Sequence, residues 1–184
     1  MFTNDDIETN RKRFLAMGQS YLKLHCYNAI RAKQLGKEPT AIQQIILLRS
    51  SPHVHTEMQF SSRHEDVSYS ATMQDGYKCC RFKNITYTHP DRWDTLILPC
   101  TEMQEDMAWE RAKVLDGSEY DLKGLLSFAS ELSIINPDPD KYWCSEVDAE
   151  LIMAAFGYDP DYYRPDSFTP TGLFFDTFHR FYQS

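Results

Sequence analysis

The chain has 184 residues, of which 42% are hydrophobic and 14% aromatic, and its formal net charge is −8 at pH 7. This length suits one folded domain with a hydrophobic core and is short for two. The charge argues against nonspecific binding to nucleic acid, which requires clustered cations, because the one basic cluster, Arg11-Lys12-Arg13, lies among acidic residues.

The first residues and the cysteine content indicate a reducing, cytoplasmic setting. Residues 1–6 have neither the basic nor the apolar region of a secretory signal, and no apolar run approaches the ~20 residues that span a bilayer. The five cysteines are an odd number, and the adjacent pair Cys79-Cys80 suits a disulfide framework poorly. No cysteine or histidine spacing predicts a zinc site, and we expect no cofactor and no metal.

The first forty residues are predicted to form an N-terminal helical extension. Thr3, Asn4 or Asp5 is a suitable cap, and the apolar positions that follow lie roughly on a helical stripe: Ile7, Phe14, Met17, Tyr21, Leu22 and Leu24. Further helix is favoured over residues 27–32, until Gly36 and Pro39 interrupt it. We therefore divide the chain into an extension over residues 1–40 and a second domain over residues 41–184.

Residues 45–98 show patterns typical of β-strands. The continuous apolar run 45–48 indicates a short buried strand, and residues 54–60 alternate so that His55, Glu57 and Gln59 share one face. Residues 66–72 and 77–87 predict two strands joined by a hairpin turn at 74–76. Another strand is indicated over residues 93–98, ended by Pro99.

The second half of the chain is predicted to be mainly helical. Helices are indicated over residues 102–115 and 122–132, and a third over residues 144–156 that ends at Gly157. The tail is rich in aromatic residues and proline, which favours a strap that packs on the core. The predicted fold class is therefore α+β, with helices flanking an antiparallel sheet.

Cys144 is a candidate reactive group because it lies at the predicted start of a helix. It follows the turn-forming run 136–140. The positive end of a helix dipole stabilises a thiolate, and a nearby histidine completes a nucleophile at neutral pH. A cysteine on an amphipathic helix is also often a small buried apolar residue, so the position alone leaves both interpretations open.

The histidines supply candidates for the base that such a nucleophile needs. Four of the six lie in aromatic-rich segments or in turns and loops, where packing or solvation explains them: His25, His179, His64 and His89. His53 and His55 remain, at the start of a predicted strand whose rigid backbone orients an imidazole. His55 shares its face with Glu57 and Gln59, and His53 lies on the same face, so spacing alone does not exclude it.

Five short motifs occur in an order that resembles a known family. They are His55-Thr56-Glu57-Met58-Gln59-Phe60-Ser61, Arg81-Phe82-Lys83, Arg92-Trp93-Asp94, Tyr120-Asp121-Leu122-Lys123-Gly124 and Trp143-Cys144-Ser145-Glu146. Together they resemble the circularly permuted papain-like hydrolases, relatives of the NlpC-type cysteine peptidases. In that family the histidine strand precedes the cysteine helix, the reverse of papain's order. Residues 167–173 also resemble the family's proline-containing tail, and the likeness covers roughly residues 42–175.

The resemblance implies a permuted papain-like fold, in which an antiparallel sheet or half-barrel packs against helices, and a thiol protease or related hydrolase. Cys144 would be the nucleophile and His55 the general base. Tyr120 matches a tyrosine near the oxyanion site of related enzymes, although Asp121 beside it also suits a helix cap. The third polar residue that orients the imidazole is not evident, and the candidates are Glu57, Ser68, Ser70 and Thr72.

The implied substrate is a peptide, an amide or an acyl ester. A second interpretation is a catalytically weak or inactive papain-like scaffold that acts as an interaction protein, for example a phage or viral protein that blocks a host factor. The lack of an evident third residue and the extension over residues 1–40 both favour this alternative. The sequence makes no prediction of the oligomeric state.

Overall fold

The structure is a computed structural model that describes residues 20–73, 76, 78–85, 87–125, 138 and 140–183. Its centre is an antiparallel sheet with the strand order β4-β3-β2-β1-β5. The strands are β1 (Ser20–Asn28), β2 (His53–Gln59), β3 (Ser68–Thr72), β4 (Cys79–Lys83) and β5 (Trp93–Cys100). The sheet and its flanking helices confirm the predicted α+β class.

The helices follow local signals in the sequence. They are α1 (Ala29–Gln34), α2 (Ala41–Leu47), α3 (Glu102–Leu115), α4 (Cys144–Phe156) and α5 (Pro170–Tyr182). Helix α3 begins at a capping box, in which the Thr101 hydroxyl accepts from the Gln104 amide and the Gln104 side chain accepts from the Thr101 amide. Helix α4 ends at Gly157, whose φ of 65° is left-handed. The predictions of helices over residues 102–115 and 144–156 are confirmed.

Two segments form a different element from the one predicted. The prediction of helix over residues 20–28 is wrong, because this segment is the interior strand β1, paired with β2 on one side and β5 on the other. Leu22, Leu24 and Cys26 are buried at every second position, as in a strand. A few apolar residues so closely spaced also fit an approximate helical stripe, which is why the sequence pattern indicated a helix. The sheet therefore includes residues from both sides of the predicted boundary at residue 40.

The apolar run at residues 45–48 is the second difference. The predicted strand is wrong, because residues up to 47 belong to α2, which the Thr40–Gln43 capping box starts. Ile46 is buried, whereas the side chain of Leu48 is 76% exposed. A short apolar run fits a helix as readily as a strand, and here the cap decides.

The remaining predictions differ in detail. Strands β3 and β4 are shorter than predicted, and β5 continues through Pro99 to Cys100, since Pro99 lies on an edge strand where a missing N–H is tolerated. Residues 122–125 are helical. The rest of the predicted helix over residues 122–132 lies outside the described residues, as do residues 1–19 and, of the predicted turn, Gln74 and Asp75.

The apolar core lies on one face of the sheet, under helices α3 and α4. Its fully buried members include Leu22, Met58, Leu98, Ala112 and Leu151. The C-terminal residues contribute Leu173 to this core from helix α5, where a strap was expected. The opposite face of β2 carries His55 and Glu57, because successive side chains alternate between the faces of a strand.

Glu105 joins α3 to the sheet through a buried polar cluster. Its carboxylate accepts hydrogen bonds from the Ser61 amide at 2.7 Å, from the Ser61 hydroxyl at 2.9 Å and from the Ser20 hydroxyl. The Arg63 guanidinium lies 3.4 Å away. A fully buried carboxylate is stable only with such partners.

We expect Glu105→Ala to lower the free energy of unfolding by about 3 kcal/mol, because it leaves buried donors without an acceptor. Urea unfolding followed by circular dichroism measures this change. Glu102→Ala is the matched control on the same helix, since its side chain is 71% exposed. Equal midpoints for the two variants would show that the cluster contributes nothing to stability.

Candidate active site

Cys144 is the first residue of α4, and its side chain is only 1% exposed. Contacts of its two neighbours fix the start of this helix. The Trp143 indole N–H and the Ser145 hydroxyl both donate to the Phe168 carbonyl, at 3.3 Å and 2.7 Å. The Glu146 carboxylate accepts from the Trp143 amide at 3.3 Å. The thiol therefore has a defined position at the positive end of the helix dipole.

The imidazole of His55 contacts the Cys144 thiol from strand β2. A hydrogen-bonding interaction between the two side chains contributes to the pKa of each of them. The Nε2 atom of His55 donates to Glu57 Oε1 at 3.1 Å, which leaves Nδ1 for the thiol. Cys144, His55 and Glu57 thus form a chain of interacting side chains, with the imidazole between the thiol and the carboxylate.

The electrostatics of this chain favour a thiolate–imidazolium pair. Burial disfavours the imidazolium, but the hydrogen bonds to Cys144 and Glu57 outweigh burial and raise the pKa of His55 to about 10. Burial also opposes the thiolate, but contact with His55 and the backbone amides of Thr56 and Ser145 lower the pKa of Cys144 below its usual value of 9.0. The shifts have opposite signs, as an ion pair requires.

Of the four candidates for the third residue, Glu57 is the one that the geometry favours. Ser68 lies 3.2 Å from the Tyr87 hydroxyl, and Ser70 donates to the Thr56 carbonyl at 2.8 Å. Thr72 lines a small, open surface pocket that Glu57 also lines. The spacing of Glu57, two residues after His55 on one face of a strand, already permitted this contact.

Tyr87 supports Glu57, although no feature of the sequence pointed to this role beyond the position of Tyr87 in a predicted strand. The Tyr87 hydroxyl donates to Glu57 Oε2 at 3.2 Å. Its ring stacks on His25, with ring centroids 4.2 Å apart. His25 lies between Thr95 and Gln59, and burial lowers its pKa to about 4, so the ring is neutral and has the packing role predicted for it. Burial disfavours the Glu57 carboxylate, yet contact with His55 and Tyr87 lowers its pKa.

His53, which spacing left open as a base, is occupied by other partners. Its Nε2 donates to Asp94 at 2.8 Å, and the Thr171 hydroxyl lies 3.5 Å from Nδ1. Asp94 also accepts from the Asn28 amide and pairs with Arg31. Both ring nitrogens of His53 are therefore engaged away from the thiol, so His55 is the histidine of this strand that contacts it.

Tyr120 lies beside the Cys144 thiol. Its hydroxyl interacts with the Cys144 thiol. Burial raises the pKa of Tyr120 well above its usual value, so the hydroxyl keeps its proton and is a donor. The adjacent Asp121 caps the helical turn over residues 122–125, since its carboxylate accepts from the Gly124 amide at 2.8 Å. A side chain at Gly124 would overlap this carboxylate and the Trp143 ring.

The described residues thus define an α+β protein with a buried site composed of cysteine, histidine and glutamate. Comparisons with protein-family models, with curated proteins and with solved structures give no match to this chain. In the part of the chain that the structure describes, no helix is long and apolar enough to cross a bilayer. The same residues contain no group of three or more His, Cys, Asp or Glu side chains arranged to hold a metal ion.

Proposed function

We propose that this protein is a cysteine hydrolase of the permuted papain-like class. The observation that carries the proposal is the chain of interacting side chains Cys144–His55–Glu57, with the cysteine at a helix start. The order of histidine strand before cysteine helix supports the permuted class. A thiol in this setting attacks the carbonyl carbon of a peptide, an amide or an acyl ester.

The reaction follows from the proton positions in the site. His55 holds the thiol proton, and the thiolate of Cys144 forms a bond to the carbonyl carbon. The oxyanion accepts hydrogen bonds from amides at the start of α4 and from the Tyr120 hydroxyl. His55 then protonates the leaving amine or alcohol, and water, deprotonated by His55, attacks the acyl-enzyme and releases the acid.

The burial of Cys144 sets a condition for this reaction. Because the thiol is 1% exposed, a substrate reaches it only after a neighbouring group has moved. Tyr120 is partly exposed and contacts the thiol, so it is the group that we expect to move. Its hydroxyl then exchanges the thiol for the substrate oxygen as its hydrogen-bond partner.

Labelling by iodoacetamide at pH 7, with the modified residue identified by mass spectrometry, tests the proposal. We expect Cys144 to react first, and Cys144→Ala to abolish this rapid labelling, because burial raises the pKa of Cys26, Cys80 and Cys100. Cys79→Ala is the matched control and should label as the unmodified protein does. Rapid labelling that persists in Cys144→Ala would refute the assignment of the nucleophile.

An inactive scaffold is the second candidate function, and the burial of the thiol is the observation that favours it. In that case Cys144 is a packing residue and the protein acts through a partner. Labelling of Cys144 no faster than that of a free thiol, together with no hydrolysis of small activated esters, would support the scaffold. Fast labelling with ester hydrolysis would exclude it.

A further inference from the structure

A small polar pocket adjoins the candidate site on the side of strands β3 and β4. Glu57 lines it from β2, and Arg81 and Lys83 line it from β4. Between them, the wall includes hydroxyl side chains of β3, among them Ser68 and Ser70. Of these residues Glu57 alone has a role in the proposed mechanism, so the cationic side of the pocket remains to be explained.

The register of the sheet brings both cations to the face that carries Glu57. Residues directly opposite each other on antiparallel strands share a face, and so do residues two apart on one strand. Ser68 pairs with Gln59 on β2 and with Lys83 on β4. Gln59 lies two residues after Glu57, and Arg81 lies two residues before Lys83. All four therefore lie on one face of the sheet, and both cationic side chains are partly buried there.

The charges of the described residues make the pocket wall positive. Among the described residues that line the pocket, Glu57 is the only acid. Its carboxylate is already bound, since Oε1 accepts from His55 and Oε2 accepts from the Tyr87 hydroxyl. The imidazolium of His55 balances the charge of this carboxylate. Arg81 and Lys83 therefore give the wall a net positive charge beside the reacting groups.

A purely structural role for the two cations makes a different prediction. Strand β4 is at one end of the strand order, and charged side chains on such a strand discourage pairing with another chain. In that role Arg81 and Lys83 have no influence on which substrate reacts. Replacing either one by glutamine would then change the hydrolysis of neutral and anionic substrates by the same factor.

We propose that this pocket binds a carboxylate of the substrate, so that Arg81 and Lys83 select acyl compounds that carry one. The inference rests on the proposed function and names the substrate class of that site. A guanidinium and an ammonium both form charge-assisted hydrogen bonds with a carboxylate, and the small pocket suits one such group.

The sheet geometry also sets the position of that carboxylate in the substrate. Strand β4 is the second neighbour of β2, so about 10 Å separates the two backbones. The carboxylate should therefore lie several bonds from the reacting carbonyl, as it does in a peptide-like acyl group that ends in an acid.

Two matched esters test this selectivity. One is the 4-nitrophenyl ester of N-succinylglycine, which carries a terminal carboxylate, and the other is the same compound with that carboxylate converted to a methyl ester. Release of nitrophenolate gives kcat/KM for each, and the ratio of the two values measures selection for the charge. A substitution that only disturbs the catalytic groups changes both values and leaves the ratio as it was.

We expect the ratio to fall about tenfold in Arg81→Gln and in Lys83→Gln, because each variant loses a charge-assisted hydrogen bond to the carboxylate. Lys83→Arg keeps the charge and should hold the ratio within about threefold. Lys78→Gln is the control, since it removes an exposed cation just before the same strand. An unchanged ratio in both glutamine variants, or in Lys83→Gln if Arg81→Gln does not fold, would overturn the inference and leave the proposed function intact.

A binding measurement separates this inference from the proposed function. N-succinylglycinamide should raise the melting temperature of Cys144→Ala, which lacks the nucleophile, and its methyl ester should not. Adding Arg81→Gln or Lys83→Gln to Cys144→Ala should abolish the rise. If neither nitrophenyl ester is hydrolysed, the proposed function fails, and a rise that depends on the carboxylate and on both cations still supports the pocket. No such rise would overturn it.

Discussion

His55→Ala is expected to lower the rate of ester or amide hydrolysis by about 1000-fold and to slow the labelling of Cys144 at pH 7 by at least about tenfold. The imidazole both holds the thiol proton and protonates the leaving group, so its loss removes two steps at once. It also removes the cation that lowers the thiol pKa, and burial then raises that pKa. Steady-state kinetics and the pH dependence of labelling measure the two effects separately.

The loss of His55 should also change the pH dependence of the labelling of Cys144. In the unmodified protein the ion pair exists above the lowered pKa of Cys144 and up to the pKa of His55, about 10. Labelling should therefore already be fast on the acidic side of the usual thiol pKa of 9.0. In His55→Ala the midpoint should lie above that value. His53→Ala is the matched control from the same strand, and if it abolished labelling while His55→Ala did not, the base would be His53.

Glu146→Gln is expected to raise the free energy of unfolding at alkaline pH by roughly 1–3 kcal/mol, with an upper bound of about 5 kcal/mol. Burial, with repulsion from Asp166, Asp121 and Glu150, raises the pKa of Glu146 from 4.5 to about 8, although the hydrogen bond from the Trp143 amide favours the carboxylate. The folded state thus binds a proton that the unfolded state has released. Stability must therefore fall as the pH rises through this interval.

Glutamine keeps an oxygen that accepts from the Trp143 amide and removes the charge. The free energy of unfolding of the variant should therefore not decline as the pH rises through this interval. Denaturant unfolding at several pH values between about 4.5 and 9 measures it. Burial lowers the pKa of His25 to about 4, so stability should also fall on acidification below the usual histidine pKa of 6.5, and that loss should persist in the variant. Glu110→Gln, on an exposed stretch of α3, is the control. Parallel curves for Glu146→Gln and the unmodified protein would contradict the prediction.

Much of the fold could be predicted because its signals are local. Helices α3 and α4 begin and end at caps that lie within a few residues in the sequence, such as Thr101 and Gly157. Strand β1 was not predictable in this way. Its stability comes from pairing with β2 and β5, which are distant in the chain, and that pairing overrides a weak helical stripe. Helix α2 is a different case, because its capping box at Thr40 and Gln43 is a local signal that outweighs the short apolar run.

The sequence by itself determined the residue types of the candidate site: a cysteine at a helix start, a histidine on a strand and an acid two residues further on. Only the tertiary structure decided which groups meet. In the fold His53 contacts Asp94 and His55 contacts Cys144, although both histidines lie on the same face of one strand. It also brings Tyr87 to the site from another segment. The physical reason is that alternation along a strand fixes the face of a side chain, whereas its partner depends on which distant segment packs there.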